Sequence, residues 1–137
     1  MKRQTRTQAR EEAFKLIFQA ETNSDDIDFL IAHMLSECPE AESNLEYIKK
    51  AVMGVVEKND ELEAEIAGNL TEGWRIGRIS KTALCVLKLA VFEIKYIDDV
   101  PDRVAVNEAV ELDKKYDEPE NSAFVNGVLG GFLKKRG

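Results

Sequence analysis

The segment Val104–Leu133, VAVNEAVELDKKYDEPENSAFVNGVLGGFL, decides how this chain is read. Two helical patterns flank the turn Asp117-Glu118-Pro119-Glu120-Asn121. The first carries an apolar stripe through Val106, Ala109 and Val110, with Asp113 at its edge, expected to be solvated there. The second, over about 122–135, buries Val125, Val128, Leu129 and Phe132, with Ser122 or Asn121 placed to cap it. Each of Gly127, Gly130 and Gly131 lowers helix stability by roughly 1 kcal/mol relative to Ala. Such a helix needs compensation from close backbone approach, so it is expected to dock against a packed interface.

Working outward, the same three- and four-residue spacing recurs upstream. Thr5 can cap a first helix running to about Glu21, with Ala13, Leu16, Ile17 and Ala20 as its buried stripe. Ser24 can cap a second helix, with Ile27, Leu30, Ile31, Met34 and Leu35 facing inward. A third is expected over about 42–58, buried through Leu45, Ile48, Val52, Val55 and Val56, and a fourth from Asn59 through Leu62, Ile66 and Leu70. Ser80 caps the most apolar element, 81–97, which must lie centrally because it is apolar almost all round. The pattern predicts an all-α chain of about seven helices in two packed bundles forming one domain, 1–137. Its subdomains divide near Gly73 into about 1–72 and 73–137.

Composition narrows the function classes. At 137 residues the chain has one domain's worth of core. Cys38 and Cys85 lie far apart without a CxxC or Cys/His cluster, and are expected as reduced thiols in or near the core. No leader precedes the first apolar cluster and no stretch reaches the roughly 20 apolar residues of a membrane span, so a cytoplasmic protein with no membrane partner is expected. His33 has no metal-ligand spacing around it, and no P-loop, GxGxxG, nucleophile elbow or HExxH occurs. The chain is therefore read as no enzyme, with no catalytic residue, metal or cofactor. Glu11-Glu12, Glu61/Glu63/Glu65 and Glu118/Glu120 read as solvated helix faces.

The net charge of −7 argues against a nucleic-acid binder, but its distribution argues for one. Lys2, Arg3, Arg6 and Arg10 stand in the first ten residues without an acid, leaving 15 basic against 26 acidic residues elsewhere. That is a basic arm on an acidic body. Arg6, Arg10, Phe14 and Phe18 repeat every four residues along one helical line, the cation-plus-aromatic combination that grips single-stranded RNA. A solvated terminus over two core phenylalanines fits the same residues. At the start of the last helix, Asn121, Ser122 and Phe124 offer a cap, a positive dipole end and a ring to a phosphate and a base, although capping and packing explain them equally.

Several ordered blocks resemble the NusB family. They are VAVNEAVELDKKYD with SAFVNGVL, Arg78-Ile79 with the run Leu87–Ile94, and Ala9-Arg10-Glu11 leading into Phe14–Glu21. The resemblance implies a two-bundle helical fold and a transcription antitermination factor that binds boxA-type single-stranded RNA of nascent ribosomal transcripts. It implies NusE, the ribosomal small-subunit protein, as co-binder, and RNA polymerase with other Nus factors as the assembly served. RNA contacts then fall to Lys2, Arg3, Arg6, Arg10, Phe18, Asn121, Ser122 and Phe124, with the basic arm and the start of the last helix joined in one patch. Thr7 and Gln8 stand where many relatives carry arginine. Ala83 and Leu84 stand where the family often has an acid-base pair that holds the protein partner. The alternative is a protein-binding helical adaptor or homodimer that uses the glycine-bearing helix without RNA. The targeting domain of an rRNA methyltransferase is disfavoured by the lack of a cofactor domain after Gly137.

Overall fold

The computed structural model describes residues 3–22, 26–70 and 74–136. Among these the chain forms seven α-helices: α1 (Arg6–Thr22), α2 (Ile27–Glu37), α3 (Leu45–Glu57), α4 (Asn59–Ala67), α5 (Lys81–Tyr96), α6 (Asp102–Tyr116) and α7 (Pro119–Arg136). Short 3-10 helices cover Pro39–Asn44 and Ile76–Arg78, and no strand occurs among the described residues. The all-α expectation holds.

The chain divides into two compact units, Met1–Glu57 and Lys58–Gly137. In the first, α1 packs mainly on α3 and also on α2. Its core joins Ala9, Ala13, Leu16 and Ile17 to Ile31, Ile48, Val52 and Val55. Pro39 opens the 3-10 helix and takes up the residues before Leu45, so α3 starts three residues later than its spacing suggests. Within α3, Val56, expected to be buried, is 41% exposed, and Tyr47 is buried in addition to the expected stripe. The inward arc of α3 therefore runs through Tyr47, Ile48, Ala51, Val52 and Val55.

In the second unit, α5 contacts α4, α6 and α7, and eleven of its residues are buried. Ser80 caps it as expected, its hydroxyl accepting the Ala83 N–H at 3.0 Å. Because α4 packs on α5 and α7, it groups with the C-terminal helices, and the unit boundary falls after Glu57 instead of near Gly73. Gly73 and Ser24 lie outside the described residues; α2 is capped by Asp26, which accepts the Asp28 N–H at 3.0 Å.

The glycines of α7 correct an expectation. A Cβ on Gly127 or Gly130 would meet nothing within 4 Å, and only Gly131 lies against a neighbour, the Asn69 Oδ1 at 3.0 Å from that Cβ position. Close approach explains one glycine of the three.

Candidate nucleic-acid interface

The basic arm is anchored. Thr5 and Gln8 form a reciprocal capping box: the Gln8 N–H donates to Thr5 Oγ1 at 3.1 Å, and the Thr5 N–H to Gln8 Oε1 at 2.9 Å. Gln8, which departs from an arginine-rich pattern, thereby fixes where α1 begins. Before the cap, Gln4 is buried, and Asn44 Nδ2 donates to its carbonyl at 2.9 Å. Gln4 Nε2 also lies 3.8 Å from Cys38 Sγ. The Cys38 thiol donates to Glu40 at 2.8 Å, and that bond, with burial and the Glu40 charge, pushes it up to about 11. Cys38 is thus held as a neutral thiol.

This anchoring leaves Arg3 exposed beside a fixed residue; Lys2 lies outside the described residues. The Arg6 guanidinium carbon sits 4.3 Å from the centre of the Tyr47 ring, and that of Arg10 sits 5.9 Å from the same centre. Tyr47 is 6% exposed and Arg10 4%, while Arg6 is half-buried. A cation over a partly desolvated ring gains roughly 0.5–2 kcal/mol, so the ring holds Arg6 in place. The four-residue line accordingly splits. Arg6 and Phe18 are partly exposed, whereas Arg10 and Phe14 belong to the core. The rings of Phe14 and Phe18 lie 6.2 Å apart at 48°. Tyr47 had no signal in the sequence beyond its helical phase, since its two cationic neighbours come from another helix.

At the second candidate corner, the capping role expected of Asn121 and Ser122 is overturned. The helix begins at Pro119, whose fixed φ and missing N–H suit a first helical turn. Ser122 lies inside it and donates its hydroxyl to the Pro119 carbonyl at 2.8 Å. The Asn121 side chain instead hydrogen-bonds the Asp117 carboxylate. Phe124 is half-buried and packs against Trp74, with ring centres 5.3 Å apart at 40°.

Asp113, expected at a solvated edge, is fully buried. Neither of its carboxyl oxygens has a hydrogen-bond partner of good geometry. Burial first, then the negative charge of Asp117 and contact with its carboxyl, push Asp113 up to about 7. For Asp117 burial works upward too, but bonds from Ser80 (2.7 Å), the Glu118 N–H (2.9 Å) and Asn121 outweigh it and hold that carboxyl below the ordinary range. The charge settles on Asp117 and the proton on Asp113, so one acidic pair ties the start of α5 and the end of α6 to the start of α7.

The glutamates of α4 are not a solvated face either. Glu63 lies 3.0 Å from the buried Lys88 ammonium, and Lys95 reaches Glu61 at 2.7 Å and Glu65 at 3.5 Å. The Tyr96 hydroxyl also bonds Glu61. These partners come from α5, which sequence spacing within α4 could not reveal. Ala83 is buried and Leu84 half-buried. Among the described residues, no group of three or more His, Cys, Asp or Glu side chains is placed to hold a metal ion, and no helix is long and apolar enough to cross a membrane. His33 is exposed and stacks on Phe29 at 6.5 Å and 11°.

Residues 7–134 match the model of the NusB family. The transcription antitermination protein NusB of Clostridium botulinum is 39% identical over 129 residues, spanning 93% of this chain and 96% of that protein. The fold superposes on NusB of T. maritima with a TM-score of 0.87 at 28% identity, covering 98% of this chain and 94% of that one. It is also similar to a structure of antitermination factors NusB and NusE in complex with dsRNA, with a TM-score of 0.81 at 26% identity over 95% and 96% of the two chains. Match length, identity and fold agree: this chain belongs to the NusB family.

Proposed function

We propose that this chain is an RNA-binding transcription antitermination factor of the cytoplasm, a binding protein and not a catalyst. It takes boxA-type single-stranded RNA of nascent ribosomal transcripts together with NusE, and serves elongating RNA polymerase alongside other Nus factors. The observation that carries this reading is the arginine arm at the start of α1, anchored through Gln4 and the Thr5–Gln8 box, in a chain otherwise strongly acidic. The similarity to a NusB solved with NusE and RNA supports it. Lys2, Arg3 and Arg6 supply phosphate contacts, Phe18 and Phe124 supply stacking, and Asn121 and Ser122 shape the start of α7. Arg10 acts from within the first unit, through the ring it shares with Arg6. The acidic body suits a basic protein partner and discourages RNA elsewhere.

Filter binding of boxA-type RNA across several salt concentrations tests the arm. Four phosphate contacts on a single strand give a log–log slope of about −3, and three give about −2, with Arg10 retained at Tyr47. Arg6→Ala should weaken binding by roughly ten-fold while leaving helicity intact. A flat salt profile with unchanged Arg6→Ala affinity would remove the arm from the mechanism.

A further inference from the structure

Trp74 is the single tryptophan of the chain, and at 48% exposure it is among the most exposed large apolar side chains described. Its indole does not stand alone, since Phe124 lies against it. Two adjoining rings with one still open to solvent make a platform to which another planar group can add. The surroundings select the kind of group. Arg75, Arg78 and Lys81 are all exposed on the segment that follows, and residues 74–92 contain no acid. That segment is fixed in shape: the Arg78 N–H donates to the Arg75 carbonyl at 2.9 Å and the Ile79 N–H to the Ile76 carbonyl at 3.1 Å. In a chain of net charge −7, a basic stretch beside paired aromatic rings is a local exception.

We propose that Trp74 is a base-stacking residue for single-stranded RNA, working with Phe124 while Arg75 and Arg78 engage flanking phosphates. This rests on the RNA-binding reading above and adds a contact that reading did not contain. The chemistry is that of single-strand binding in general, in which an aromatic face takes any base and neighbouring cations track the backbone. A basic protein partner is disfavoured at this place, because three exposed cations would face its own charge.

The single indole makes the test direct. The whole chain is titrated with unlabelled boxA-type single-stranded RNA while tryptophan emission is followed, and filter binding measures affinity independently. Saturable quenching with the filter-binding midpoint is expected. Trp74→Phe should bind within about two-fold of wild type because it keeps a π-face, whereas Trp74→Ala should lose about five-fold or more with unchanged circular dichroism. Arg6→Ala should bind more weakly yet reach the same quenching at saturation. RNA retained on filters with no change in emission, and Trp74→Ala binding like wild type, would overturn the assignment while leaving the arm in place. Emission that responds only to the partner protein would overturn it in favour of a protein contact. No RNA retained by the wild-type chain would overturn the functional reading itself.

Discussion

The first unit buries Arg10 near Arg6, the second buries Asp113 against Asp117, and these two ionisable side chains are kept by opposite means. In the first, the Arg10 guanidinium is buried with its charge intact, set near the face of Tyr47 together with Arg6. In the second, Asp113 is buried beside a second carboxylate, and the proton it keeps removes the charge. The difference follows from chemistry. A guanidinium cannot shed its proton at any ordinary pH and must be met by electron-rich surroundings, whereas a carboxyl can neutralise itself. The basic corner should therefore be indifferent to pH across the neutral range, and the acidic corner should not.

The strongest way to break this contrast is at Tyr47. Tyr47→Ala removes a buried ring and should lower unfolding free energy by about 3–5 kcal/mol, read by urea denaturation. Tyr47→Phe keeps the ring under both arginines and should lose about 1 kcal/mol or less. Equal losses for the two variants would show that the ring is not what holds the cations.

The acidic corner predicts a pH effect of definite sign. The folded chain holds the Asp113 proton up to about 7, whereas the ordinary value is 3.8. Its contribution is complete below about pH 4 and is lost as pH rises through about 7. Between pH 4 and pH 8 the wild type should lose about 2 kcal/mol more stability than Asp113→Asn, about half the unscreened equivalent of that displacement. Parallel pH profiles would place the proton elsewhere.

The smallest effects sharpen the comparison at the two helix caps. Ser80 both accepts the Ala83 N–H and donates to Asp117, so Ser80→Ala should destabilise by about 1.5–2 kcal/mol. Thr5 is exposed and its hydroxyl accepts the Gln8 N–H at the edge of solvent, so Thr5→Ala should cost about 0.5–1 kcal/mol. Thermal melts of the pair would rank them, and the reverse order would remove the coupling between the α5 cap and the acidic pair.

Element identity was legible because it is written locally. Thr5, Ser80 and the apolar spacing of α1 and α5 announce helices within one or two turns of themselves. The start of α7 was misplaced because Asn121 and Ser122 are good caps by type, and only the position of Pro119 in the finished helix shows them inside it. The residues missed share one property: their partners are remote in sequence. Tyr47 meets Arg6 and Arg10, Trp74 meets Phe124, and Lys88 and Lys95 meet the glutamates of α4. Asp113 looked like an edge because its stripe is narrow on paper, and the packing of α6 on α5 and α7 closed over it.

By itself the order of amino acids determined seven helices, the caps at Thr5 and Ser80, the charge imbalance of the arm and the family. All of these arise from interactions between neighbours along the chain or from composition. Tertiary structure alone decided which arginine is partly exposed, which carboxyl keeps a proton, which glycine meets a neighbour and which aromatic rings stand together. Those outcomes depend on how helices distant in sequence exclude water from one another, and spacing along a single helix carries no record of that.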